Sequence, residues 1–260
     1  MKVNAYRKCW TCAPTYSNQW EWEGEMNGNL LLLAFVLGAV SQASLVISAI
    51  AVYVVKFPTR LVGALAAFGA GALIAAVARD LLPEAQELHL GVASLWAMAG
   101  ALTFLGGEHL VEKKFGSGGA AGALGIVIGA VVDGVPESII FGIQLASGTP
   151  ISLAFIAAVF VSNIPQAIAP SAELAAIGWN WRRVAVLWSW VVLACGAASI
   201  LGYGIGSASD LLRGARMAAF AGGGILAMLS NSLVPFAHER TKAAGLWTVV
   251  GFCASFAAGN

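Results

Sequence analysis

Two stretches of the chain match each other without a gap: FGAGALIAAVARDLLPEAQE at residues 68–87 and FAGGGILAMLSNSLVPFAHE at residues 220–239. The matched positions include Phe68 with Phe220, Gly71 with Gly223, Ala75 with Ala227, Pro83 with Pro235 and Glu87 with Glu239. Self-similarity of this kind indicates an internal repeat. Chance similarity between two helices rich in glycine and alanine is the alternative.

The composition around these stretches is that of a membrane protein. Hydrophobic residues make up 59% of the 260 residues and charged residues only 10%, whereas soluble domains are about 45–50% apolar and about 25% charged. This excludes an ordinary soluble enzyme, and it also excludes a disordered chain, which would be poor in apolar residues. The net charge of +1 gives no electrostatic attraction to nucleic acid. We therefore expect an all-α integral membrane protein in contact with the lipid bilayer.

Small groups of charged residues separate the long uncharged runs. A helix that crosses the bilayer needs about 20 mostly apolar residues, and the runs predict eight transmembrane helices after a polar N-terminal tail at 1–29. The transmembrane domain is expected to cover residues 30–260. The predicted spans lie near residues 30–55, 61–83, 90–111, 120–146, 150–172, 184–207, 216–236 and 243–258.

The two matching stretches fall on the second and seventh predicted spans. Because five spans separate them, they are expected to run in opposite directions through the membrane, which is the inverted repeat of many secondary transporters. Spans 1–3 and 6–8 would then be the two halves, with spans 4 and 5 between them in a 3+2+3 arrangement.

The lysine and arginine residues predict the orientation. They are more numerous in the odd-numbered loops than in the even-numbered ones, and positive residues favour the cytoplasmic side. We therefore expect both termini outside the cell, in a plasma or inner membrane. In the tail, Cys9 and Cys12 form a C-x-x-C that suits a metal or redox pair. A flexible tail, or a start codon upstream of a natural start at Met26, is the simpler explanation.

Asp133 and Glu137 are the only charged residues between Lys114 and Glu173. An ionisable group at mid-membrane costs roughly 3 kcal/mol, and residues one turn apart project from the same helix face. Two like charges in that position repel each other unless a bound cation or a proton neutralises them. The pair therefore predicts a cation site. The alternative is that both pair with polar groups on neighbouring helices and only hold the bundle together.

Span 5 carries a similar motif. Ser162, Asn163 and Gln166 lie within about one turn around Pro165, as the acidic pair of span 4 lies around Pro136. A proline inside a helix frees the backbone carbonyl one turn earlier, and a freed carbonyl that lines a cavity can bind an ion. Together the two spans predict a cation site rich in oxygen ligands at the middle of the bilayer.

These motifs resemble those of the ZIP (ZRT/IRT-like) metal transporters. That family reads His-Asn-x-Pro-Glu-Gly on span 4, where this chain has DGVPES at 133–138, and it has a polar motif around a proline on span 5, where this chain has SNIPQA at 162–167. The end of span 2 commonly reads His-Leu-Leu-Pro-Glu-Ala; here residues 80–85 read DLLPEA. The resemblance covers residues 30–258.

The resemblance implies facilitated or proton-linked transport of a divalent metal ion, such as zinc, iron or manganese, into the cytoplasm. It implies that Asp133 and Glu137 are the main ligands, that Asn163 and Gln166 complete the site, and that Ser162 contributes. The metal is the transported substrate, no cofactor is expected, and a homodimer is one assembly that the resemblance suggests. Because no histidine lies inside a span, the ligands favour harder ions than zinc.

Other functions fit the sequence less well. An intramembrane hydrolase needs two deep aspartates or a histidine motif such as H-E-x-x-H, and neither is present, so the chain is not expected to be an enzyme. A non-conducting relative of the transporters, acting as a metal sensor or structural subunit, is the remaining alternative. Glu108, His109 and Glu112 could bind a metal at the membrane surface, but a solvated helix end explains them more simply.

Overall fold

A computed structural model of the chain describes residues 28–115, 119–148, 151–208 and 214–259. The predicted all-α class is confirmed, because all regular structure in these ranges is helical. The C-x-x-C pair at Cys9 and Cys12 lies outside them. The helices are α1 Gly28–Ala51, α2 Thr59–Ala76, α3 Leu82–Ala85, α4 Leu90–Phe115, α5 Gly119–Ser147, α6 Leu153–Ala176, α7 Trp181–Ala208, α8 Ala215–Met228, α9 Val234–Arg240 and α10 Ala244–Ala258.

Seven helical segments in the described residues are long and apolar enough to cross a membrane. Two of them are composite, because α2 continues into α3 and α8 continues into α9. The prediction of a membrane protein is thereby confirmed. The eighth predicted run is helical over Ala244–Ala258, but its 15 residues give a length of only about 22 Å at 1.5 Å per residue.

Each composite helix contains a π-helical segment. One covers Val77–Leu81 between α2 and α3, and the other covers Leu229–Leu233 between α8 and α9. These segments occupy equivalent positions in the alignment of 68–87 with 220–239. Both are followed by a proline at the start of the next helix. The two matching stretches therefore share a local backbone irregularity as well as residues.

Glycines bring these composite helices into backbone contact with α10 and α4. At four glycines an added Cβ would collide with the backbone of the facing helix. The helices can come this close only because glycine has no side chain. The contacts are Gly71 with Thr248 and Gly251 with Phe68 on one side, and Gly223 with Ala97 and Gly100 with Phe220 on the other. Aligned residues of α2 and α8 therefore make the same kind of contact.

Helix α5 is held at the centre of the bundle by α1, α6 and α7. Its Gly142 lies against the backbone of Ser199 on α7, and Gly202 of α7 lies against Ile139. These contacts need small residues on both helices. They hold the middle turns of α5, where Pro136 and the acidic pair lie, against the interior of the molecule.

Candidate metal site

Glu137 is the central residue of the candidate site. It lies on α5, one residue after Pro136, and only 1% of its surface is exposed. Its Oε2 accepts a hydrogen bond of 3.2 Å from Nε2 of Gln42 on α1. Among the described residues no lysine or arginine forms an ion pair with it. The carboxyl group is therefore buried with an amide, and not a cation, as its hydrogen-bond partner.

Gln42 connects span 4 to span 5. Its Oε1 accepts a hydrogen bond of 2.7 Å from Nδ2 of Asn163 on α6, while its Nε2 donates to Glu137. Gln42 is fully buried and Asn163 is 2% exposed. The chain from Asn163 through Gln42 to Glu137 brings three of the central helices together at one polar point inside an apolar bundle.

Gly134 makes room for this connection. A Cβ at this position would lie 3.1 Å from Oε1 of Gln42 and 2.9 Å from Sγ of Cys195. Both distances are shorter than ordinary contacts between a Cβ and a heavy atom, so a side chain here would displace Gln42 or Cys195. Gln42 therefore reaches Glu137 over the face of α5 that the glycine leaves open.

Ser162 and Gln166, the other two residues predicted on span 5, are not linked by a hydrogen bond to Glu137. Ser162 is fully buried, and its Oγ donates to the carbonyl oxygen of Val159 on its own helix at 2.9 Å. Gln166 is half-buried, and its Oε1 is a buried atom without a hydrogen-bond partner among the described residues. Gln166 therefore offers a free acceptor, whereas the hydroxyl hydrogen of Ser162 is already used.

Asp133 lies on α5, one turn before Glu137. It is half-buried and interacts electrostatically with Glu137, one turn away, and with Glu108 on α4. Glu108 accepts hydrogen bonds from Nδ2 of Asn231 and, at 2.6 Å, from Oγ of Ser232. Glu108 is therefore not a freely solvated helix end, because the second π-helical segment binds it beside the acidic pair.

The donor set consists of carboxylates, amides and hydroxyls. Among the described residues, no three histidine, cysteine, aspartate or glutamate side chains lie close enough together to hold a metal ion. A metal at Glu137 would therefore need amide oxygens besides the two carboxylates of α5. Such oxygen ligands suit hard divalent ions better than soft ones.

Sequence reasoning missed Gln42 and the pairing of Glu108 with span 7. A neutral amide in an apolar run has no charge to draw attention, although Gln42 lies among three polar residues in the sequence SQAS at 41–44. That local polarity inside a predicted span was the available signal. The contact between Glu108 and Asn231 joins residues far apart in the chain, and nothing local predicts it.

No protein-family model matches the chain, and no curated protein matches it in sequence. The likeness to the ZIP transporters therefore remains a prediction from the short motifs.

Proposed function

We propose that this protein transports a divalent metal ion across the membrane, into the cytoplasm, through a site formed by Glu137 and the amides around it. In this proposal α10 is an eighth, short span, and the eight spans form a 3+2+3 inverted repeat related to that of the ZIP transporters. Zinc, iron and manganese are the candidate ions.

The observation that carries the proposal is the buried carboxyl group of Glu137. An ionisable residue inside a membrane protein is costly and usually marks an ion or proton pathway. Glu137 has a second carboxylate, Asp133, one turn away and no basic partner among the described residues. A divalent cation would neutralise both groups at once, which an amide does not do.

In this proposal the side-chain amide of Gln42 is a ligand of the metal ion. The ZIP motif has an asparagine at the position of Gly134, and in this chain the amide of Gln42 occupies the space that a side chain at 134 would enter. An amide carries an acceptor at one end and donors at the other. When an ion arrives, we expect the Gln42 amide to turn over and present Oε1 to the metal, with Asn163 releasing its hydrogen bond.

The matching π-helical segments and glycine contacts support two related halves. Alternating access in inverted-repeat transporters is largely a movement of one helical unit against another around a fixed site. Contacts without side chains between helices, as at Gly71 and Gly223, allow such sliding because no bulky groups interlock. We therefore expect the halves to move against α5 and α6, which hold Glu137 and Asn163.

The test is uptake of metal by purified protein in liposomes. The panel contains Zn²⁺, Mn²⁺, Fe²⁺ and Mg²⁺, and each ion is tested with the natural protein and with Glu137→Ala. The proposal expects saturable uptake of at least one transition-metal ion and its loss in the variant. Metal binding without uptake would instead indicate the non-conducting sensor or structural subunit, and neither binding nor uptake would contradict both.

A further inference from the structure

A small cleft lies away from Glu137, between the end of the first composite helix, α5 and the start of α8. Its polar lining comes from Glu84, Gln144 and the backbone at Gly214, and the remaining lining residues are apolar. The cleft is partly open to the outside, and its cavity volume is about 10 Å³, which is room for about one water-sized group. No step of the proposed function uses it.

Gln144 is the residue that points to a ligand. It is 5% exposed, and its Oε1 is buried without a hydrogen-bond partner among the described residues. Buried side-chain oxygens in proteins nearly always have a partner, and an exception suggests a missing ion or water. Since Gln144 lines the cleft, a ligand in the cleft would satisfy it.

Glu84 supplies the charge. It is half-buried, and its Oε1 lies 3.5 Å from the point where a Cβ on Gly214 would be, so the carboxylate reaches across the cleft. Among the described residues no hydrogen bond or ion pair engages the carboxylate oxygens of Glu84. A carboxylate and an unpaired amide oxygen in one cleft form a donor set for a hard cation.

The cleft lies along the same face of α5 as the candidate metal site. Glu137 and Gln144 are seven residues apart on one helix, which is almost two whole turns, so both side chains project to the same side. Asp133, one turn before Glu137, shares that face as well. An ion that moved along this face would pass from one set of oxygen ligands to the next.

We propose that Glu84 and Gln144 form a second binding site for a hydrated divalent metal ion. Its place on the transport path rests on the proposed function, but its ability to bind a metal does not. With only two side-chain ligands the ion keeps water ligands on the open side of the cleft, as Mg²⁺ and Mn²⁺ commonly do at carboxylate sites. The site would hold the ion before or after it occupies the site at Glu137.

The test is a titration of the full-length protein in detergent with Mn²⁺, followed by the electron paramagnetic resonance signal of the free ion. Glu84→Gln should weaken one class of sites by about tenfold or more, because it removes the only charged side chain among the described residues that line the cleft. Glu137→Gln should weaken the other class and leave this one intact. Glu173→Gln is the control, since Glu173 is an exposed carboxylate on α6 that does not line the cleft, and its loss should change neither class.

Gln144→Glu tests the site without relying on a loss of binding, which a misfolded variant would also show. It adds a second carboxylate to the cleft and should tighten Mn²⁺ binding there, a gain that misfolding does not produce. Unchanged binding in both Glu84→Gln and Gln144→Glu would overturn the second site and leave the proposed function standing. Conversely, an effect of Glu84→Gln with none of Glu137→Gln would support the second site and contradict the site at Glu137.

Discussion

Gln42 of α1 donates a hydrogen bond of 3.2 Å to the buried carboxyl group of Glu137 on α5. The same side chain accepts one from Asn163 on α6. The polar centre of this protein is therefore built from three spans, with an amide between the two helices that carry the proline motifs.

Replacing Gln42 by leucine should harm both stability and uptake. Gln42→Leu leaves the Glu137 carboxyl and the Asn163 amide buried without partners, which should cost about 1–3 kcal/mol. The apparent unfolding temperature in detergent should fall. Ser44→Ala is the control, because Ser44 is a buried residue of the same helix whose Oγ has no hydrogen-bond partner within the part of the chain that the structure describes. Equal unfolding temperatures of the two variants would show that the hydrogen bonds of Gln42 contribute nothing to stability.

Gly134→Ala should also disturb the hydrogen bonds that Gln42 makes with Glu137 and Asn163. Its methyl group would press on Cys195 and Gln42, and overpacking of this kind costs about 1–3 kcal/mol. The comparison is Gly129→Ala on the same helix, where no described residue comes within 4 Å of an added Cβ, so that the change should be neutral or slightly stabilising. Thermal unfolding of both variants measures the difference.

A double substitution tests whether Gln42 replaces an amide at 134. Gly134→Asn should lose uptake because its side chain collides with Gln42, and Gln42→Ala should lose uptake because the amide is gone. The combined variant regains an amide without the collision, so its uptake should exceed that of both single variants. If the double variant takes up no more metal than the worse single variant, the Gln42 amide does not take the place of an amide at 134.

Asp133→His should raise the preference for Zn²⁺ over Mn²⁺. Imidazole suits Zn²⁺ better than carboxylate oxygen does, and Mn²⁺ favours oxygen ligands. Competition between the two ions for uptake measures the order of preference. If Asp133→His leaves that order unchanged, Asp133 does not contact the transported ion.

The repeat predicts that substitutions at matched glycines reduce stability and transport equally. Gly71→Ala and Gly223→Ala each push a methyl group into the backbone of a facing helix, so both should slow transport and lower stability to a similar degree. Gly204→Ala is the control, since none of the residues that the structure describes lies within 4 Å of an added Cβ there. Strong damage from one of the two and none from the other would contradict equivalent halves.

The sequence predicted much of this arrangement. Long apolar runs predict membrane helices because the bilayer fixes their length, and Asp133 and Glu137 are conspicuous because charge is rare there. Asn163 is conspicuous because it lies in a proline motif that matches the one around Pro136. Gln42 was not, because its role depends on the space left by Gly134 and on the packing of α1 against α5, which no local pattern encodes. The π-helical segments were missed for the same reason, since their residues fit a regular helix equally well.

The most direct test of the account is the initial rate of Zn²⁺ and Mn²⁺ uptake by Glu137→Gln in liposomes. This variant keeps the size of the side chain and removes its charge. Glu173→Gln is the comparison, because Glu173 is an exposed carboxylate on α6. The account predicts that Glu137→Gln loses most uptake of both ions while Glu173→Gln keeps the rate of the natural protein. Uptake by Glu137→Gln at the natural rate would contradict it.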